Sequence, residues 1–173
     1  TNKTYNGTTA AAFTGTATLG GVISGDTVSV STSGATATFD TKDQGTSKVV
    51  TVVGVTLGGS DAGNYAVTQP TLSANIDKKN LTVSGLSGVN RAYDRTVTAT
   101  FTGTASPVGK VGSENVTINT SSASATFADK TVADNKVVTL TGVTLSGSDA
   151  GNYTVSQPQL SANITAAPLS VTG

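Results

Sequence analysis

The heptapeptide Gly59-Ser60-Asp61-Ala62-Gly63-Asn64-Tyr65 (GSDAGNY) recurs unchanged at Gly147–Tyr153. A shift of 88 positions relates the copies, and the same shift carries Tyr5 onto Tyr93, Phe13 onto Phe101 and Phe39 onto Phe127. Every aromatic residue belongs to one of these four pairs. The halves align without a gap, so the chain reads as one unit written twice. The period exceeds the roughly 20–50 residues of a solenoid coil and suits a small self-contained β-domain of about seven strands.

Composition agrees with β structure. Aromatics are 5% of the 173 residues, and Trp and Met are absent. Val and Thr, stiff at χ1, fit a pleated sheet, whereas Gly and Ser serve turns. With so few large side chains, the four aromatic pairs are expected to anchor the cores. Ten basic and ten acidic side chains cancel. Nucleic-acid binding and attachment to an anionic membrane therefore lack an electrostatic footing. No apolar run approaches the roughly 20 residues of a membrane span, and no leader pattern is expected within these residues. Without cysteine there are no disulfides or thiolate metal sites, and the compartment stays open on that count.

Alternation places the strands. In the second copy, RTVTATFT puts Val97, Ala99 and Phe101 on one face. NVTIN supplies Val116 and Ile118, and SASATFA supplies Ala123, Ala125 and Phe127. KVVTLTGVTL begins with Val138 and Leu140 and resumes with Val143 and Leu145, its apolar parity flipping across Gly142 as it does across Gly54. A glycine bulge is predicted at both glycines. The segments 81–86 and 168–173 complete each set, and either could close its own module or open the next. The working division is 1–85 and 86–173. The halves match least between Thr18–Thr27 and Ser106–Asn115, which predicts a surface loop.

The order strand, GSDAGNY, strand, turn, strand predicts a structural corner of the immunoglobulin-like kind, in which the tyrosine hydroxyl returns to nearby upstream backbone. Asp61 and Asp149 are expected to accept backbone N–H bonds there, and Gly63 and Gly151 to supply positive φ. The rival reading makes Asp61, Asn64 and Tyr65 a ligand or calcium site, but the spacing of acids and amides is not that of a calcium loop. The expected fold is all-β: two tandem immunoglobulin-like β-sandwich modules in an elongated arrangement.

The pattern TYNGTTAA…FTGTATLGGVISGDTVSV…VVTVVGVTLGGSDAGNY…QPTLSANI…KNLTVSG resembles the YDG repeats, akin to MBG repeats, of large bacterial surface and secreted adhesins. The signature tripeptide stands as Tyr5-Asn6-Gly7 and as Tyr93-Asp94-Arg95. The resemblance implies extracellular stalk or spacer repeats of a cell-surface adhesin, with roles in cell adhesion and biofilm and neighbouring repeats of the same chain as partners.

Chemistry of other kinds finds little purchase. With no His or Cys and no nucleophile elbow or phosphate loop, an enzyme is not expected. No catalytic, cofactor-binding or metal-ligating residue is nominated, and the chain is expected to be monomeric. The functional alternative is an adhesive module that binds a glycan or a host or surface protein through its end loops. A covalent variant pairs Lys42 or Lys130 with Asn64/Asn152 or Asn75/Asn163 in an isopeptide bond assisted by Asp61/Asp149. A solvated lysine and turn amides are the plainer reading.

Overall fold

Short strands joined by glycine turns build the whole chain, and there is no α-helix. The structure, a computed structural model, describes all of Thr1–Gly173 as two compact units, Thr1–Lys78 and Lys79–Gly173.

The first unit contains β1 (Lys3–Thr4), β2 (Ala10–Ala11), β3 (Ser29–Ser31), β4 (Thr36–Phe39), β5 (Gly45–Val53), β6 (Thr56–Gly58) and β7 (Thr71–Asp77). They form a five-stranded sheet ordered β1-β7-β5-β4-β2 and a β3-β6 ladder. The second unit contains β8 (Lys79–Gly88), β9 (Arg91–Ala92), β10 (Thr98–Ala99), β11 (Phe101–Val108), β12 (Thr117–Asn119), β13 (Ser124–Phe127), β14 (Ala133–Thr141), β15 (Thr144–Ser146), β16 (Tyr153–Val155) and β17 (Gln159–Thr165). It repeats the larger sheet as β9-β17-β14-β13-β10 and the ladder as β12-β15. It adds a three-stranded sheet, β11-β8-β16, with β8 antiparallel to β11 and parallel to β16.

Alternation decides what is buried. Ala37 and Phe39 point inward from β4, as do Val50 and Val52 from β5 and Ala74 and Ile76 from β7. In the second unit Val138 and Leu140 are fully buried in one cluster with Phe127 and Ile164, and Leu81 is fully buried as well. At roughly 25 cal/mol per Å² of apolar surface, these aliphatic side chains and the aromatics among them supply most of each unit's stability.

The parity flip at Gly54 and Gly142 proves to be a change of sheet rather than a bulge within one ladder. β5 pairs with β4 and β7, whereas β6, just past Gly54, pairs with β3. Gly54 (φ +86°) and Gly142 (φ +78°) turn the corner, and a Cβ there would meet Gly34 O at 2.9 Å and Ser122 O at 2.6 Å. Leaving the ladder frees the backbone of the next residue, and a glutamine side chain replaces the lost strand. Gln69 accepts from Val55 N and donates to Val55 O, both at 2.9 Å, and Gln157 does the same for Val143. The ladder irregularities lie elsewhere, between Gly103 and Ser106 and, at matched positions of the two units, between Gly45 and Lys48 and between Ala133 and Lys136. There Ser47 (φ +49°) and Asn135 (φ +52°) adopt left-handed backbone.

Two other expectations are corrected. The run Val97-Ala99-Phe101 is not one strand face, because β10 pairs with β13 and β11 with β8. Ala99 is buried, whereas Val97 is 43% exposed. The Ser106–Asn115 segment is not all loop, since β11 runs to Val108. Residues 79–88 form one strand, β8, hydrogen-bonded on both edges to strands of the second unit.

Candidate functional site

The signature tripeptide comes first along the chain. Tyr5 is 1% exposed, and its N–H donates to Asp77 O at 2.8 Å. Asn6 Oδ1 then accepts from the Thr8 N–H at 3.2 Å and its hydroxyl at 2.9 Å, closing an Asx turn. Gly7 completes it at φ +77°. In the second copy Asp94 Oδ1 accepts the same pair from Thr96, both at 2.9 Å. Arg95 takes the glycine's place at φ +74°, so the turn survives the substitution with a side chain in left-handed backbone. Beneath each turn lies a cation. Lys3 Nζ donates to Asn6 Oδ1 at 3.0 Å and to Thr8 O at 2.6 Å. Arg91 pairs with Asp94 and donates to Thr96 O at 2.5 Å. The Arg91 hydrogen bond is the main cause that holds the Asp94 carboxyl down at about 2.

The heptapeptide forms a short 3₁₀ turn (Ala62–Asn64, Ala150–Asn152), and its side chains reach across to the segment that differs most between the halves. Asp61 N donates to Thr27 O at 3.2 Å, while Thr27 N donates to Asp61 Oδ2 at 2.8 Å. Asp149 and Asn115 repeat this reciprocal pair at 3.2 and 2.8 Å. The Thr27 N–H, with the Ser60 hydroxyl, holds the Asp61 carboxyl below the usual carboxylate range. Tyr65 Oη accepts from Ile23 N at 3.0 Å and donates to Asp26 Oδ2 at 2.7 Å. The bond to Asp26 favours the protonated phenol and raises its pKa. Tyr153 Oη likewise accepts from Val111 N at 3.0 Å and donates to Glu114 Oε2 at 2.5 Å.

Asp61 and Asp149 thus accept backbone N–H bonds as expected, but the rest of the corner is rearranged. The hydroxyls meet backbone 42 residues upstream rather than a few residues away. Gly63 and Gly151 have ordinary φ and open space around them, whereas Gly59 (φ +103°) and Gly147 (φ +110°) carry the constraint. A Cβ on Gly59 would lie 2.3 Å from Thr27 O, and one on Gly147 2.2 Å from Asn115 O. The heptapeptide is a staple, and its partners are mostly main-chain groups. Asp26 and Glu114 supply a carboxylate at the one side-chain contact, which is why two dissimilar segments fit the same staple.

The residues considered for a covalent cross-link are placed differently. Lys42 Nζ donates to the Tyr5 hydroxyl at 2.8 Å and lies 5.3 Å from the ring centroid. Asn75 Oδ1 and Asn163 Oδ1 accept from Ser47 N and Asn135 N at 2.8 Å, holding the two left-handed bulge residues. Lys130 is exposed, and Asn152 is buried inside the staple. No group of three or more His, Cys, Asp or Glu side chains is arranged to hold a metal ion, and no helix is long and apolar enough to cross a membrane.

Neither the curated proteins nor the solved structures contain a match to this chain. A family model, the YDG domain, matches twice, over residues 1–72 and 77–161. Those matches cover nearly the whole chain and take in both tripeptide turns and both staples. The chain therefore belongs to the YDG domain family and carries two copies of the domain.

Proposed function

We propose that the two modules are structural stalk or spacer repeats of a bacterial cell-surface or secreted adhesin that projects a distal binding domain away from the cell. The observation that carries this reading is the fate of the repeated heptapeptide. Its acid and phenol, the groups best suited to a ligand, are committed to hydrogen bonds within each module. Repetition of the same staple serves folding, since each module must close its own sheets. The reading assigns no catalysis and an extracellular setting. On this view each module is an immunoglobulin-like β-sandwich serving as a passive unit of length.

A glycan and surface-protein binding panel with the two-module chain tests the proposal, alongside a variant carrying Ser106–Asn115 in place of Thr18–Thr27. The spacer reading expects no saturable partner for either protein. Saturable binding lost on the loop exchange would refute it and establish an adhesive module.

A further inference from the structure

The tripeptide turns of the two copies differ at one chemically active position. Asn6 precedes Gly7, and this is the chain's one Asn-Gly pair. The side-chain amide of an asparagine is open to attack by the main-chain nitrogen of the next residue. Glycine, with no Cβ, crowds that nitrogen least. In the second copy the same place holds Asp94 followed by Arg95.

Three donors converge on the Asn6 side-chain oxygen. Thr8 gives its N–H at 3.2 Å and its hydroxyl at 2.9 Å, and Lys3 Nζ donates at 3.0 Å. The ammonium is itself held by Thr8 O at 2.6 Å and Ala10 O at 2.9 Å. Donors fixed in advance on a carbonyl oxygen stabilise the oxyanion that develops there when the carbon is attacked. The Asx turn also folds Asn6 Cγ back over the Gly7 peptide, so electrophile and nucleophile belong to the five-membered ring that closure forms. Asn6 is exposed to water. Asn119 supplies the contrast. Its Oδ1 accepts the Ser121 N–H at 2.9 Å, but the next residue is Thr120, whose branched side chain shields the nitrogen.

We infer that Asn6 is a self-modifying site, converted in the folded chain to aspartate with release of ammonia. The Gly7 nitrogen loses its proton to solvent and bonds Asn6 Cγ. The Cγ–Nδ2 bond then breaks, and the amide nitrogen takes up a proton and leaves as ammonia. Water opens the resulting succinimide. Addition at Cγ breaks the new Cγ–N bond and leaves a side-chain carboxylate, whereas addition at the main-chain carbonyl gives isoaspartate. The three donors sit on the Cγ oxygen, so they favour the first route. The net change consumes one water and releases one ammonium ion.

The second copy shows that the product fits. Asp94 Oδ1 accepts the N–H and the hydroxyl of Thr96, both at 2.9 Å, and Arg91 pairs with it from the position that Lys3 holds in the first copy. Conversion gives the first copy the matching ion pair and lowers the chain's net charge from zero by one.

Peptide mapping by mass spectrometry tests this on the whole chain, which starts at its sequence mass and is sampled during incubation at mildly alkaline pH. Electron-transfer fragmentation tells aspartate from isoaspartate at position 6, and a synthetic peptide of residues 1–12 gives the unassisted rate. The folded parent is expected to convert about tenfold faster than the peptide and to yield mainly aspartate. That factor lies below the roughly 10²–10³-fold of a buried oxyanion donor because this turn is exposed. Lys3→Met removes the cation and Thr8→Val the hydroxyl alone, and each, its fold checked by urea unfolding, should slow toward the peptide's rate. Thr8→Val decides by itself if Lys3→Met does not fold. A parent no faster than the peptide, a folded variant as fast as the parent, or isoaspartate as the main product overturns the inference.

Discussion

Replacing each heptapeptide glycine by alanine separates a staple from a local corner. At Gly147 the side chain enters a backbone with φ +110°, and its Cβ would lie 2.2 Å from Asn115 O. The unfavourable φ costs about 1–3 kcal/mol. Relieving the overlap must displace Asn115, whose N–H and C=O both bond Asp149. Losing that pair, one member charge-assisted, adds about 2–3 kcal/mol. Gly147→Ala should therefore destabilise the second unit by about 3–6 kcal/mol. Gly151 has ordinary φ and nothing within 4 Å of a Cβ, so Gly151→Ala should stay within about 0.5 kcal/mol of the parent. Urea unfolding followed by hydrogen-exchange mass spectrometry, read on peptides of each unit, measures both. Equal costs at the two glycines, or a larger one at Gly151, would refute the staple and restore the corner expected from the sequence.

Tyr153→Phe removes two hydrogen bonds, one to a carboxylate, and should cost the second unit about 2–3 kcal/mol; Tyr65→Phe, at a more exposed ring, should cost less in the same assay. Leu81→Ala empties a fully buried site in β8 and should cost about 2–5 kcal/mol, with the first unit's urea midpoint unchanged. Arg95→Gly relieves left-handed backbone and should stabilise by up to about 1 kcal/mol, measured by thermal unfolding. Asp94 and Asp129 have depressed carboxyl pKa values, caused first by hydrogen bonds from Arg91 and Lys136 respectively. Their contribution to stability is thus complete above the ordinary Asp range and is lost as pH falls, through about 2 for Asp94. Carboxyl carbon NMR titration should show both shifting late, and midpoints near 3.8 would contradict the pairings. Intact mass should equal the sequence value, because Lys42 and Asn75 are bound to Tyr5 and Ser47, whereas a deficit of one ammonia per module would reveal the cross-link.

The duplication, the β character and most strand positions were legible in the sequence, because period-two alternation and an ungapped repeat are local or self-referential signals. β4, β7, β13 and β17 lie where their alternating residues put them. The parity flip at Gly54 and Gly142 was equally visible, but whether it marked a bulge or a change of sheet depended on which strands lay alongside. The staple was half legible. An acid and a tyrosine that need partners can be read from GSDAGNY, but the partners are backbone groups 34 and 42 residues upstream. Main-chain N–H groups carry no sequence signature, so the divergent segment gave no hint that it receives them. The same limit applies to the pairing of residues 79–88. A strand is specified by its own side chains, whereas the sheet it joins is specified by neighbours distant in sequence, and only the folded chain could place β8 between β11 and β16.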